Sequence, residues 1–257
     1  IDITLNNNQN TNPNFPSPYL DGTLNLNEYH GALWELARGC PFKCSYCYES
    51  KGEKTVRYFP LERIEKELDL FAKENIPQVF VLDPTYNANK QRAIQLINLI
   101  AKKTPNTFYY FEARAEFIDK QLAKAFTKIP CALQIGLQSS DENVLKLVNR
   151  PFNKTQFVKN INYLNEFGVV FGLDVIYGLP GESLKGFKES IDFAIKGGRL
   201  YSFCTFNCTS LSHSLNIQFF SLIKSSQIIH LSIGTMLLLL ISKRPIFCCT
   251  CKVNLSR

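Results

Sequence analysis

Three cysteines near the start of the chain have a spacing that could support metal chemistry. Cys40, Cys44 and Cys47 follow the pattern C-x3-C-x2-C, with Tyr46 directly before the last of them. Three thiolates on one short loop can ligate three irons of a cubane iron–sulfur cluster and leave the fourth without a protein ligand. A metal site that keeps an open position is typical of catalysis. The alternative is a closed zinc site, completed by a histidine such as His30.

Strand-like and helix-like segments alternate along residues 31–198. Apolar runs predict strands over 32–37, 78–82, 107–112, 131–136 and 169–176. Helical spacing of apolar residues predicts helices over 61–71, 93–101, 117–126, 142–148, 154–167 and 184–195, with Gly168 as a left-handed cap after the fifth. Such alternation predicts an α/β fold in which helical crossovers connect the strands of a parallel sheet. If the sheet curls into a barrel, its site lies at the carboxyl ends of the strands.

Polar residues do follow the predicted strands. The cysteine loop comes after the first strand, and the later strands are followed in turn by Asp83-Pro84-Thr85, by Glu112 and Arg114, by Gln138-Ser139, and by Tyr177-Gly178. An Arg in such a position suits a carboxylate ligand, because its planar fork can bind both oxygens. The ordinary alternatives are a strand-end cap for Asp83, a surface ion pair for Glu112 and Arg114, and plain turn chemistry for the glycines.

Taken together and in this order, these motifs resemble the radical S-adenosylmethionine (SAM) superfamily. The cysteine loop, Gly136-Leu137-Gln138-Ser139 and Asp174-Val175-Ile176-Tyr177-Gly178-Leu179-Pro180-Gly181 are similar to the motifs of that family. The resemblance implies that Cys40, Cys44 and Cys47 ligate a 4Fe-4S cluster whose open iron chelates the methionine part of S-adenosyl-L-methionine. It implies cofactor contacts for Tyr46 at the adenine and for Asp83 or Thr85 at the amino group. It implies further contacts for Glu112 and Arg114 at the ribose and carboxylate, and for Gln138 and Ser139 at the barrel mouth. For Tyr177 and Gly178 it implies a backbone that passes the adenine.

Within the superfamily, residues 15–198 resemble most the enzymes that carry a cobalamin-binding domain upstream. That resemblance implies a partial (β/α) barrel of six units, of which five are visible here and the sixth is expected to be lost. It implies cobalamin for a longer parent protein and not for this chain. The implied reaction is reductive cleavage of S-adenosyl-L-methionine to a 5′-deoxyadenosyl radical, which abstracts hydrogen from an unknown substrate.

Composition divides the chain into three parts. Residues 1–30 are rich in Asn and Pro and are interpreted as a linker, and residues 31–198 form the core. All 22 acidic residues and 23 of the 29 Lys and Arg lie within residues 1–198, so the net charge of that body is only +1. Residues 199–257 have six basic residues, no acidic residue and five of the nine cysteines. We interpret this tail as an aberrant, poorly structured segment translated in a shifted reading frame.

The same features define the expected surroundings of the protein. A body near neutrality favours no nucleic-acid partner, and the apolar run 228–241 is short for a membrane span. Free thiolates favour a reducing, cytoplasmic location. The family resemblance implies an external one-electron donor of the flavodoxin or ferredoxin type. The alternatives are a tRNA-modifying methylthiotransferase, disfavoured because no second cysteine triad is seen, and an inactive truncated fragment.

Overall fold

A computed structural model describes residues 15–49 and 55–197, and the backbone alone of residues 199–205. Its main sheet has six strands, all parallel, in the spatial order β1-β4-β5-β6-β7-β8. These strands are β1 (Ala32–Trp34), β4 (Gln78–Val81), β5 (Phe108–Ala113), β6 (Cys131–Gln138), β7 (Val170–Tyr177) and β8 (Arg199–Thr205). Two short strands, β2 (Ala37–Arg38) and β3 (Arg57–Tyr58), form a separate antiparallel pair.

The described part of the chain contains six α-helices and three 3-10 helices. The α-helices are α1 (Leu61–Lys73), α2 (Lys90–Lys103), α3 (Lys120–Phe126), α4 (Glu142–Leu147), α5 (Lys154–Glu166) and α6 (Leu184–Gly197). The 3-10 helices are Leu26–Glu28, Tyr86–Ala88 and Ala115–Phe117. Five of these α-helices begin at a side-chain cap, because Asn89, Asp119, Asp141, Asn153 and Ser183 each accept a hydrogen bond from a backbone N–H of the first turn.

The core lies between the sheet and the helices. Alternate strand residues such as Val79, Phe111, Leu133 and Leu173 are fully buried and pack with apolar residues of the helices. The residues between them, including Phe80, Tyr110, Gln134 and Asp174, are only half-buried on the other face of the sheet. The predicted α/β fold with five strand–helix units is therefore confirmed.

A sixth strand corrects the expectation that the sheet stops at the fifth. Strand β8 pairs in parallel with β7 from Gly172 opposite Arg199 to Tyr177 opposite Thr205, with a register shift at Leu173 and Asp174. The expectation rested on the acid-free composition of the tail. Strand pairing depends instead on the free edge of β7 and on residues that favour strands, and the apolar, aromatic and β-branched residues of 199–205 do so. The remainder of the predicted tail, 206–257, lies outside the described residues.

The N-terminal segment touches the body of the domain. Within the predicted linker, Leu26 and Ser17 are buried and the ring of Tyr19 packs edge-to-face against Phe71 of α1 at 5.5 Å.

Two further expectations concern the helices. Gly168, directly after α5, has a φ of +67°, as predicted for a left-handed cap. Among the described residues there is no helix of the length and apolarity that a bilayer crossing requires.

Candidate functional site

The cysteine loop leaves the short strand β2 at the carboxyl end of the main sheet. Gly39 turns the chain with a φ of +93°, a conformation that favours glycine. Cys40 and Cys44 are buried, Cys47 is half-buried, and none of the three forms a disulfide within the described residues. Burial raises the pKa of the Cys40 thiol, and the nearby charge of Arg114 acts against that shift. The loop therefore presents three reduced sulfurs at the edge where parallel strands end.

The three sulfurs do not form a site for a single metal ion. Within the described ranges, no three His, Cys, Asp or Glu side chains are grouped so that one ion could be held between them, and His30 is among the residues described. A cubane does not require that convergence, because each thiolate ligates a different iron.

Asp83 lies after β4 and is bonded to the backbone that leads into the loop. Its Oδ1 accepts hydrogen bonds from the N–H of Leu36 at 2.8 Å and of Ala37 at 3.0 Å. Burial raises the pKa of Asp83 to about 7, although these two bonds favour the ionised form. Thr85, two residues further on, places its Oγ1 4.0 Å from the Cys40 sulfur. Both predicted residues thus lie beside the cysteine loop.

Arg114 follows β5 and already has a carboxylate partner. Its guanidinium pairs with Glu116, the closest atoms being Nη2 and Oε1 at 2.6 Å, and lies 3.7 Å from the ring centre of Phe42 in the cysteine loop. The Asn87 amide bonds to both the N–H and the C=O of Arg114. Burial alone would raise the pKa of Glu116, but Arg114 lowers it below its ordinary value. Arg114 therefore supports the cysteine loop through Phe42.

Arg150 is a buried residue of the site that sequence reasoning missed. Its Nη1 donates to the Tyr46 hydroxyl at 3.4 Å, and its Nη2 donates to the C=O of Gly136 on β6. The Cys44 thiol interacts with both Tyr46 and Arg150. Burial lowers the pKa of Arg150, but Tyr46, Glu116 and Cys44 together raise it above its ordinary value. The Arg150 Nε atom is buried and has no hydrogen-bond partner in the described part of the chain.

Tyr46, predicted to contact the adenine, packs against a small apolar cluster at the ends of β6 and β7. The cluster contains Val144, Leu145, Val148, Ile176 and Leu179. Burial raises the pKa of the Tyr46 hydroxyl well above its usual range. The backbone N–H of Ser45 donates to the C=O of Val148 at 3.0 Å, which joins the cysteine loop to the end of α4.

Gln138 and Ser139 end β6 in two different environments. Gln138 has a φ of +69° and is buried, and its Oε1 lacks a hydrogen-bond partner among the described atoms. A side chain on Gly136 would collide with the Gln138 amide and come within 3.3 Å of Arg150 Nη2. Ser139 is fully buried, with its Oγ 3.3 Å from the hydroxyl of Ser190 on α6. Gln138 thus joins Arg150 at the site, whereas the Ser139 hydroxyl faces α6.

The last three predicted residues also lie at strand ends. Glu112 is half-buried near the end of β5, in register with Gln134 of β6. The ring of Tyr177 packs against Phe187 of α6 at 4.8 Å, so the side chain is directed to the helix layer. Gly178 has a φ of +83°, which explains why glycine occupies that turn.

Comparison with known proteins identifies the family of this chain. The chain belongs to the radical SAM superfamily, whose sequence profile matches residues 34–194. Among its relatives, the cobalamin-dependent radical SAM methyltransferase TokK of Streptomyces tokunonensis is 26% identical over 204 residues, which are 71% of this chain and 29% of TokK. The ribosomal protein uS12 methylthiotransferase RimO of Clostridioides difficile (strain 630) is 28% identical over 187 residues, which are 67% of this chain and 42% of RimO. The chain thus spans less than half the length of these curated relatives.

A solved structure has the same fold. The radical S-adenosylmethionine methyltransferase TsrM from Kitasatospora setae, with cobalamin and a 4Fe-4S cluster bound, superposes with a TM-score of 0.62 at 16% identity, over 70% of this chain and 38% of TsrM. The family uses a 4Fe-4S cluster and S-adenosylmethionine, and the predicted family and fold are confirmed.

Proposed function

We propose that this domain binds a 4Fe-4S cluster and S-adenosyl-L-methionine and cleaves the latter reductively, for hydrogen abstraction from a substrate not yet identified. The observation that carries the proposal is a pair of buried, unpartnered polar atoms beside the cysteine loop. In the described structure Arg150 Nε and Gln138 Oε1 have no hydrogen-bond partner, and Arg150 contacts both Tyr46 and Cys44. Buried polar groups are normally bonded, so such atoms fit a polar ligand that completes them.

The residues of the chain divide the work of holding the two cofactors. Cys40, Cys44 and Cys47 would ligate three irons, with Phe42 and Tyr46 shielding the sulfurs from water. When bound, the cluster would supply the electron for reductive cleavage of S-adenosylmethionine. The protein's task is to position the cofactor and exclude water.

Arg150 is the better candidate for the methionine carboxylate than Arg114. Arg114 is already paired with Glu116, whereas Arg150 is buried and its Nε–H has no hydrogen-bond partner among the described residues. A guanidinium binds a carboxylate strongly because the hydrogen bonds are charge-assisted. Tyr46 is retained at the adenine, and Asp83, Thr85, Glu112, Gln138, Ser139, Tyr177 and Gly178 remain proposed contacts or supports of the cofactor.

Cleavage needs partners outside the chain. A one-electron donor of the flavodoxin or ferredoxin type would reduce the cluster, and a reducing cytoplasm would keep the thiols free. Cobalamin is proposed only for a longer parent protein, since the matched relatives extend well beyond the aligned segment.

Anaerobic reconstitution with iron and sulfide, followed by chemical reduction and addition of S-adenosylmethionine, tests the proposal. We expect release of 5′-deoxyadenosine, and loss of both the cluster and this product in Cys44→Ala. Cys131→Ala is the matched control, because Cys131 lies at the opposite end of β6. A cubane spectrum retained in Cys44→Ala would overturn the ligand assignment. A wild-type protein that takes up no cluster would favour the inactive-fragment alternative.

Methylthiotransfer is the second candidate, favoured by the match to RimO. It requires incorporation of sulfur as well as a methyl group into the substrate. Mass spectrometry of candidate tRNA or protein substrates after incubation with the reconstituted protein would separate it from simple hydrogen abstraction.

A further inference from the structure

The segment between β1 and the cysteine loop is held from two sides. Leu36 is fully buried, and its N–H donates to Asp83 while its C=O accepts from the N–H of Phe59 at 3.0 Å. Arg92 of α2 in turn donates from Nη2 to the C=O of Phe59 at 2.7 Å. The backbone entering the loop is therefore fixed by the β4–α2 turn on one side and by the segment after β3 on the other.

The same turn reaches the first cysteine itself. Thr85 Oγ1 lies 4.0 Å from the Cys40 sulfur, and the Thr85 hydroxyl also donates to the C=O of Pro84 at 2.8 Å. Asp83 and Thr85 thus contact the loop at two points, at Leu36 and Ala37 and at Cys40. In the described structure, the side-chain acceptor for the N–H groups of Leu36 and Ala37 is Asp83 and not a residue of the loop itself.

We infer that Asp83 is a positioning residue whose carboxylate fixes the backbone at Leu36 and Ala37 and so holds Cys40 in place. It acts through the chain, since its Oδ1 is engaged by two backbone donors that lead into the loop. The N–H groups of Leu36 and Ala37 both donate to this buried carboxylate oxygen and not to strand β4, and the pairing of β1 with β4 accordingly ends at Trp34. That Cys40 ligates a cluster rests on the proposed function; that Asp83 holds Cys40 does not.

Alkylation of the cluster-free protein measures this positioning directly. Iodoacetamide modifies exposed thiols, and mass spectrometry of the peptides gives separate rates for Cys40 and Cys131. Cys131 is buried at the start of β6, where its thiol donates to the C=O of Phe126. Its alkylation rate therefore reports global unfolding. The ratio of the two rates therefore separates local loosening of the loop from loss of the fold.

In Asp83→Ala we expect Cys40 to be alkylated about tenfold faster relative to Cys131, since two buried hydrogen bonds are lost. Asp83→Asn keeps an acceptor at the Oδ1 position and should restore the ratio to within about threefold of wild type. Glu67→Gln is the matched control: this buried carboxylate bonds Trp34 at 2.7 Å and Arg63 at 2.9 Å, away from the loop, and should leave the ratio unchanged.

An unchanged ratio in Asp83→Ala overturns the inference, as does an equal acceleration of Cys40 and Cys131. If Asp83→Ala does not fold, hydrogen exchange of the wild-type protein decides: the amides of Leu36 and Ala37 should exchange slowly, and fast exchange overturns the inference. In reconstituted protein, the cluster of Asp83→Ala should be lost to a ferrous chelator faster than that of Glu67→Gln. Failure of S-adenosylmethionine cleavage alone leaves the alkylation result intact, so the two proposals fail separately.

Discussion

The hydroxyl of Tyr19 forms hydrogen bonds with both backbone groups of Leu33 on the outer edge of strand β1. It accepts a hydrogen bond from the Leu33 N–H at 3.0 Å and donates one to the Leu33 C=O at 2.6 Å. Strand β1 has β4 on one side, and its other side is an edge of the main sheet. One side chain thus satisfies both backbone groups of the central residue of a three-residue edge strand, which removes a template for pairing with another chain.

Removing that hydroxyl is expected to destabilise the fold and to promote self-association. Tyr19→Phe keeps the ring that packs on Phe71 but loses both bonds, at a cost of about 1–3 kcal/mol. Urea denaturation measures the loss, and light scattering measures association. Tyr29→Phe, in the same segment but 54% exposed, should change neither. Equal stability of Tyr19→Phe and wild type would show that β1 needs no cap.

The fold shows where local sequence patterns suffice and where they do not. The apolar run 32–37 predicts one strand, but β1 stops at Trp34, and the N–H of Leu36 donates instead to Asp83, which lies 47 residues after Leu36 in the sequence. The periodicity of apolar residues describes one element at a time and contains no information on a contact between distant residues such as Leu36 and Asp83. Strand β8 was missed for a similar reason: composition argued against the tail, whereas pairing depends on the adjacent edge of β7.

Arg150 gives the sharpest test of cofactor binding. Arg150→Lys keeps the positive charge but loses the planar fork, so we expect the Kd for S-adenosylmethionine to rise about 10- to 100-fold, the equivalent of one or two charge-assisted hydrogen bonds. Isothermal titration of the reconstituted protein measures this. Arg38→Lys, whose side chain is 39% exposed and paired with Glu35, is the control and should bind as wild type does. Unchanged affinity in Arg150→Lys would return the carboxylate role to Arg114.

The site was predictable to the extent that its residues are adjacent in sequence. The three cysteines and Tyr46 share one eight-residue loop, so their spacing alone indicates the chemistry. Arg150 contacts Tyr46 across 104 residues of sequence, and nothing in the run Asn149-Arg150-Pro151 reveals that its guanidinium is buried. Arg114 was predicted from its place after a strand, but the sequence did not show that Glu116, two residues on, neutralises it.

Two buried carboxyls should make the protein less stable as the pH rises. Burial raises the pKa of Asp83 and of Glu182 to about 7, and it outweighs the nearby hydrogen-bond donors, which favour the ionised forms. Their ordinary values are about 4, so the folded state binds more protons between pH 4 and 7, and unfolding becomes easier across that window. Glu182→Gln should therefore raise the urea midpoint at pH 8 and change it little at pH 5. The same shift at both pH values would contradict a titrating carboxyl.

The ion pair between Arg114 and Glu116, beside the cysteine loop, is largely buried, with side chains only 7% and 26% exposed. Glu116→Gln leaves the Arg114 guanidinium buried without a charged partner, which we expect to cost about 3 kcal/mol. Glu166→Gln is the matched control, since Glu166 pairs with Lys120 at 2.9 Å where both side chains are more than half exposed, and such pairs contribute only about 0–1 kcal/mol. Thermal or urea unfolding of the two variants measures the difference. Because Arg114 also packs on the ring of Phe42, Glu116→Gln should in addition speed the loss of the reconstituted cluster to a chelator. A Glu116→Gln variant with normal stability and a normal rate of cluster loss would show that Arg114 does not support the loop.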